Sequence, residues 1–375
     1  MQPSLSENTL DLEPLGNWWP GVQIPFLISG PCSVETRDQL LTTAIELAAT
    51  GKVQLMRGGL WKPRTRPDSF EGVGEKGLEW MVEAREKTGL RIATEVANAH
   101  HVELCLKHRF DAVWIGARTT VNPFSVQEIA EALEGSDIPV IVKNPLNPDL
   151  QLWIGALERM HRSGIRKLAA LHRGFSYYGE SVYRNKPMWE IPIALKTYFP
   201  QLELFCDPSH ICGRRDLLQK VAQKALDLGM SGLMLESHIS PDTAWSDAKQ
   251  QVTPSRFSEI IGNLQLRSVS GEKPGIGNDL ASLRSRIDHI DEDILQLISH
   301  RMDVTREIGE YKKKNNVQIL QLERWLEIVS TRSKWASEMG LTKEFIERYL
   351  EQLHQESIRT QTRVMNNGEK GENPS

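Results

Sequence analysis

Four residues far apart in the chain, Cys32, His210, Glu236 and Asp247, offer one thiol, one imidazole and two carboxylates. Mixed sulfur, nitrogen and oxygen donors suit a divalent transition metal such as Mn, Fe, Co or Zn better than Ca. Taken alone, such wide spacing is a weak signal, and a small buried cysteine beside an ion pair is the plainer alternative. Cys105, Cys206 and Cys212 read as packing residues. A second set is cationic: Arg57, Lys62, Arg64, Arg118, Lys143 and Arg173. Arginine grips carboxylate and phosphate through two parallel hydrogen bonds, whereas lysine acts as a point charge. Unpaired like charges aimed at one cavity are costly without anions. The expected ligands therefore carry two phosphates and a carboxylate.

These groups need a frame. Short apolar runs recur at 24–29, 53–57, 91–96, 112–116, 139–143, 167–171, 202–206 and 232–235, with helix-length segments between them. Eight strands alternating with helices over roughly 250 residues predict an α/β fold, the (β/α)8 TIM barrel. A doubly wound open sheet fits less well, because the count is eight and no GxGxxG follows the first run. Barrel chemistry sits at the C-terminal ends of the strands. Cys32 follows the first run, and Arg57, Lys62, Arg64 and Thr65 follow the second. Glu95 ends the third, Arg118 follows the fourth, and Lys143 ends the fifth. His172 and Arg173 follow the sixth, Asp207 and His210 the seventh, Glu236 and His238 the eighth, with Asp247 beyond. Almost every strand ends in a polar group, which argues against scattered surface residues.

Proline then stops. Of 19 prolines, all but Pro374 lie at or before Pro274. Leu280, Leu283, Ile287, Ile290, Ile294, Leu297 and Ile308 recur with helical spacing. The expected organisation is a barrel domain over 1–266, a linker over 267–278, a helical domain over 279–365 and a disordered tail over 366–375. The first helix, from Asp279 to about Asn315, would be about 55 Å long. A second is expected around Leu320–Trp335, and a third from Thr342 to about Val364. So small a unit cannot bury one such long apolar face alone, so a homodimer through that helix is expected.

Composition narrows the classes. The chain has 375 residues, 45 basic against 49 acidic, and a formal charge of −4. That is not the footprint of a nucleic-acid binder. No apolar run reaches the ~18 residues of a membrane span. No Lys or Arg occurs in the first twenty residues, so no signal peptide is expected. Four cysteines make no disulfide framework, and the expected address is the cytoplasm.

The motifs GPCSVE (30–35), RGGLWKPRT (57–65), GAR (116–118), VKN (142–144), DPSH (207–210), ESH (236–238) and SDAKQQVTP (246–254) occur in this order. Over about residues 24–266 the chain resembles the 3-deoxy-D-arabino-heptulosonate 7-phosphate (DAHP) synthases of the short type. KPRT favours these over the related octulosonate synthases. The resemblance implies condensation of phosphoenolpyruvate with erythrose 4-phosphate, releasing phosphate, at the entry to the shikimate pathway. It implies metal ligation by Cys32, His210, Glu236 and Asp247. It implies phosphoenolpyruvate contacts at Arg57, Lys62, Arg118, Lys143 and Arg173, and erythrose 4-phosphate contacts at Lys62, Pro63, Arg64 and Thr65. Glu95 is a candidate for handling the water proton. The chain departs from many relatives in having Thr119 after Arg118, where they have Asn.

Over about residues 280–364 the chain resembles the all-helical chorismate mutases. Arg284, Arg301 and Lys312 match that family's basic residues on the long helix, and Arg324, Ser357 and Gln361 match those on the other two. Arg301 and Lys312 are eleven steps of 100° apart, about 20° past three turns, so they share a face. Arg284 lies about 100° from Arg301, which suits entry from the partner protomer, as the resemblance implies. Ser357 and Gln361 share a face at i, i+4. Where some relatives place acids near the substrate hydroxyl, this chain has Gln321 and Trp325; Gln321 can still bond a hydroxyl, and Trp325 cannot accept one. Rearrangement of chorismate to prephenate is the expected second activity, with feedback by prephenate on the synthase. A non-catalytic helical unit kept for dimerisation or regulation is the alternative.

Overall fold

The computed structural model describes residues 10–62, 70–267 and 276–366, with the side chains of 276–279 outside the description. The chain divides into two compact units, Met1–Val269 and Ser270–Ser375.

In the first unit eight parallel strands close into a barrel in sequence order, β8 pairing with β1. The strands are β1 (Phe26–Gly30), β2 (Leu55–Arg57), β3 (Arg91–Val96), β4 (Ala112–Ile115), β5 (Val140–Lys143), β6 (Leu168–His172), β7 (Glu203–Cys206) and β8 (Gly232–Glu236). The helices are α1 (Arg37–Ala49), α2 (Lys76–Thr88), α3 (Ala99–Lys107), α4 (Ala117–Thr120), α5 (Pro123–Ala132), α6 (Leu150–Arg162), α7 (Glu190–Tyr198), α8 (Pro208–Cys212), α9 (Leu218–Asp227) and α10 (Pro254–Gly262). Side-chain oxygens start several of them: Thr36, Asn98, Asn122 and Asp149 each accept a first-turn N–H.

Alternation along each strand sorts the core. Phe26, Ile28, Leu55, Ala93, Trp114, Ile141, Leu171, Phe205 and Met234 fill the barrel interior. Their neighbours Leu27, Met56, Ile92, Val113, Val142, Ala170 and Leu233 pack outward under the helices. Leu15 and Trp18 close the N-terminal end, with Trp18 edge-on to Phe205. Gly30 has φ +150°, and a Cβ there would meet the Arg57 carbonyl oxygen at 2.0 Å. Only glycine lets β1 approach β2 this closely where Arg57 leaves the sheet.

The second unit has three helices, α11 (Ile276–Lys314), α12 (Leu322–Glu338) and α13 (Lys343–Asn366). The expected linker therefore ends too late: its last three residues, 276–278, are already helical. Nothing after Pro274 forbids a helix, and Gly277 falls in the first turn, where backbone N–H groups lack partners anyway. The expected tail likewise loses Asn366, the last residue of α13. The rest of the linker, 268–275, and the tail from 367 lie outside the described residues. One small cluster, Ala336, Ile346 and Leu350 with Trp325, Ile328 and Tyr349, forms the core between α12 and α13. Leu283, Ile287, Ile290, Ile294 and Leu297 on α11 stay between 42% and 68% exposed. The helical period is real, but nothing among the described residues of the unit covers this stripe.

Candidate active sites

Inward positions fall on every second residue, so the strand interiors predict which end groups enter the barrel mouth. Leu55 points in, and so does Arg57; Ile141 and Lys143, and Met234 and Glu236, follow the same parity. By that parity His172 points out. It is fully buried among Trp153, Phe175 and Trp189, and burial first, then Arg173, push its imidazole down to about 3. Of the two groups after the sixth run, Arg173 alone belongs with the mouth.

Trp114 forms the floor. Arg57 stands over its ring at 4.9 Å and Lys143 at 5.8 Å. The indole N–H donates to Glu95 Oε2 at 3.0 Å, which holds the ring and occupies Glu95. Gly116 makes room, since a Cβ there would lie 2.0 Å from Glu95 Oε1. The expectation of unpaired cations needs correction. Arg57 Nη1 is 3.2 Å from Glu236 Oε1, and Lys143 Nζ is 3.0 Å from Asp207 Oδ2, both pairs buried. Carboxylates inside the mouth balance part of the charge, which spares these side chains burial as bare ions. Arg173 Nη1 donates to Asn185 Oδ1 at 2.7 Å, and burial lowers its guanidinium to about 10, still cationic at neutral pH. Arg118 is exposed on α4. Pro63, Arg64 and Thr65 lie outside the described residues.

Beside this cluster, Cys32 Sγ lies 3.1 Å from Asp247 Oδ2. Lys62 Nζ donates to Cys32 Sγ at 2.5 Å and stands 4.0 Å from Asp247 Oδ2. Arg184 Nη1 reaches Asp247 Oδ1 at 2.7 Å. His210 Nδ1 is 2.7 Å from Asp207 Oδ2, and His210 Nε2 is 3.8 Å from Glu236 Oε1. Glu236 Oε1 is buried and accepts no hydrogen bond from the described residues. Burial alone would raise both carboxylates. Instead His210 and Lys143 hold Asp207 well below the usual range, and His210, Arg57 and Lys62 lower Glu236. Burial, then Glu236, pushes the Cys32 thiol up.

The donor set fits a divalent metal. Burial lowers His210 itself, and in the neutral imidazole Asp207 beside Nδ1 favours the proton there, which leaves the Nε2 lone pair facing a carboxylate oxygen with no hydrogen between them. Two electron-pair donors in that relation call for a cation. Among the described residues, however, no three His, Cys, Asp or Glu side chains converge as a finished ligand cage. Lys62 and Arg184 supply the positive charge next to Cys32 and Asp247.

Sequence reasoning missed Trp114, Arg184, Asn185 and Gln250, whose amide donates to Glu236 Oε2 at 2.7 Å. Gln250 sat inside a quoted motif. Arg184 and Asn185, in the loop after β6, carried no spacing signal.

In the helical unit, Arg301 Nη1 donates to Ser357 Oγ at 2.7 Å. Ser357 and Gln361 are buried on α13, and Gln361 Oε1 has no hydrogen-bond partner among the described residues. Lys312 is buried and donates to the Ile319 carbonyl at 2.6 Å. Lys312, Tyr311 and Gln321 line a cavity of about 460 Å³. Trp325 stacks on His354 at 4.0 Å and 14°. Burial, then Arg301 and Lys312, lower the His354 imidazole, so both cations bear on one place. Arg324 is exposed and pairs with Glu327, and Arg284 is exposed on α11.

A closed parallel barrel with buried cations, carboxylates and one thiol at its C-terminal mouth defines an enzyme for small anionic substrates. Residues 20–267 match the DAHP synthetase I family, and the chain belongs to that family. Residues 283–362 match the chorismate mutase type II family, so the helical unit is a domain of that kind. The chain is 34% identical to the phospho-2-dehydro-3-deoxyheptonate aldolase of Thermotoga maritima over 239 residues, 64% of this chain and 68% of that one. A 2-dehydro-3-deoxyphosphooctonate aldolase of Vesicomyosocius okutanii is 25% identical over 283 residues, 69% and 96% of the two chains. The crystal structure of the Thermotoga maritima DAHP synthase superposes with a TM-score of 0.58 at 33% identity, covering 63% of this chain and 67% of that one. The chain thus joins an aldolase-type transferase to an isomerase of aromatic biosynthesis. No helix among the described residues is long and apolar enough to cross a membrane.

Proposed function

We propose that the barrel condenses phosphoenolpyruvate with erythrose 4-phosphate to give DAHP and phosphate. The observation that carries this is the mouth itself, where Arg57 and Lys143 stand over Trp114 beside Cys32, His210, Glu236 and Asp247. Arg57, Lys62, Arg118, Lys143 and Arg173 take the phosphoenolpyruvate anion, and Lys62, shared between the substrates, takes the sugar phosphate with Pro63, Arg64 and Thr65. The phosphoenolpyruvate methylene carbon bonds to the aldehyde carbon, water adds at C2, and the resulting hemiketal expels phosphate to leave the ketone. Cys32, His210, Glu236 and Asp247 would hold a divalent metal, Mn, Co, Fe or Zn, which would supply Lewis acidity toward the aldehyde. The chain's own contribution is to hold two anions together in one orientation and to stabilise developing charge. Glu95, whose Oε2 accepts from Trp114, is the candidate to take the proton of the added water in this reading.

The helical domain, in the same reading, rearranges chorismate to prephenate. Arg301 and a partner protomer's Arg284 clamp the two carboxylates. Lys312 and Gln361 donate to the ether oxygen as its bond breaks, with Gln321, Arg324 and Ser357 at the edges. The exposed α11 stripe supports a homodimer. Prephenate in this site is the proposed feedback inhibitor of the synthase, acting across the segment between the domains. One observation favours a purely regulatory helical domain: Trp325 is stacked on His354, at a position where the resemblance implies an acid in some relatives.

One assay panel tests both activities. Phosphate release should require both substrates, and chorismate loss should proceed without either. Phosphate release independent of erythrose 4-phosphate would overturn the first activity, and no chorismate loss would select the regulatory reading.

A further inference from the structure

Trp245 is 56% exposed, yet its place is fixed from behind. Its backbone N–H donates to Glu35 Oε1 at 2.7 Å. Glu35 Oε2 lies 3.4 Å from His238 Nε2, and His238 Nδ1 accepts the Ser240 N–H at 2.9 Å. An imidazole that accepts at Nδ1 carries its proton on Nε2, so His238 donates to Glu35. One buried carboxylate thus ties the segment after β1 to the segment after β8. Held this way, the indole meets Phe70 edge-to-face, with ring centres 5.1 Å apart and planes at 87°.

Phe70 precedes Glu71, whose carbonyl accepts the Lys62 N–H at 2.8 Å. Gly74 N–H donates in turn to the Leu60 carbonyl at 3.0 Å. Gly72, at φ +100°, allows this approach, since a Cβ there would sit 2.0 Å from the Leu60 oxygen. On the far side Trp61 stacks on His101 at 4.0 Å and 11°. The backbone of Lys62 is therefore held between two aromatic contacts, and its ammonium reaches Cys32.

We propose that Trp245 is a positioning residue for Lys62, acting through Phe70 and Glu71. This rests on the proposed condensation, in which Lys62 meets both substrates. Phosphoenolpyruvate keeps Arg57, Lys143 and Arg173, all anchored at strand ends. The sugar phosphate depends on the segment around Lys62, so it bears the loss. Trp245→Ala leaves the Glu35 contact in place, because that contact is made by the backbone, and Asp247 two residues on keeps its setting.

The test uses the full chain with Trp245→Ala and Trp245→Phe. Trp245→Ala should raise KM for erythrose 4-phosphate about fivefold, the size of one lost aromatic pair. KM for phosphoenolpyruvate should change less than about twofold by the same reasoning. Trp245→Phe should restore most of the loss. Mn²⁺ affinity, read directly by calorimetric titration, should match the parent. Equal rises in both KM values, an unchanged erythrose 4-phosphate KM, failure of the phenylalanine rescue, or weakened Mn²⁺ binding would each overturn the proposal. If the parent chain itself fails to condense the two substrates, the proposed function falls instead.

Discussion

His172 and Arg173 are adjacent and end in opposite environments, because one faces the helices and the other the barrel mouth. His172 has a measurable signature. Its ordinary value is 6.5, and in the fold burial holds it near 3. Between those values the unfolded chain carries a proton that the folded chain refuses, so stability falls as pH drops through that window. The slope is about 1.4 kcal/mol per pH unit for one such group. His172→Phe keeps a ring in the Trp153, Phe175 and Trp189 cage and removes the titration. Denaturant unfolding at pH 6, 5 and 4 should show a shallower fall by about that slope, and an identical slope would refute the assignment. At the mouth, Cys32→Ala should abolish metal-dependent condensation and lower Mn²⁺ affinity by direct titration, with the barrel still folded by circular dichroism. Full activity would remove Cys32 from the site.

At the level of elements, α11 carries the sharpest mismatch between pattern and partner. Ile287 and Ile294 are seven residues apart on one face, 58% and 42% exposed. Burying such a side chain against a second copy is worth about 1.5–3 kcal/mol each. Ile287→Glu with Ile294→Glu should turn a dimer into a monomer by analytical ultracentrifugation. Chorismate turnover should fall with it, because Arg284 would no longer reach the partner's site. A dimer that survives the pair would move the interface elsewhere. Arg301→Ala should remove most chorismate turnover, through loss of a clamp that also bonds Ser357, while phosphate release stays within about twofold. Equal turnover in the variant would displace the helical site.

For the whole molecule, the two domains use different chemistry, so they should separate under chelation. A chelator should stop phosphate release and leave chorismate loss largely intact, since only the barrel offers sulfur, imidazole and carboxylate donors in one place. Equal loss of both would collapse the two-site assignment. The barrel's product is not the mutase's substrate, so regulation is the better reason for joining them. Prephenate should inhibit the intact chain more strongly than a chain cleaved at a protease site inserted near Gly275. Coupling of this kind is typically about 1–3 kcal/mol and reciprocal in binding. Equal inhibition of cleaved and intact chains would exclude it.

The eight-stranded barrel and the place of Arg57, Lys143 and Glu236 at the C-terminal ends of its strands were legible in the sequence, because short apolar runs alternate with helix-length segments and end in polar groups. The long helix was legible for the same kind of reason, as an uninterrupted period with no proline. What the sequence could not carry was which charges meet. Arg57 finds Glu236 and Lys143 finds Asp207 only because closing the barrel brings β2 near β8 and β5 near β7. Trp114 gave no sign of being a floor, since an apolar residue within a strand looks the same whichever layer it fills. Arg184 and Glu35 act across loops with no periodicity. Local pattern determined the elements and their faces; contacts between residues far apart in the chain, set by barrel closure, decided the electrostatics of the site.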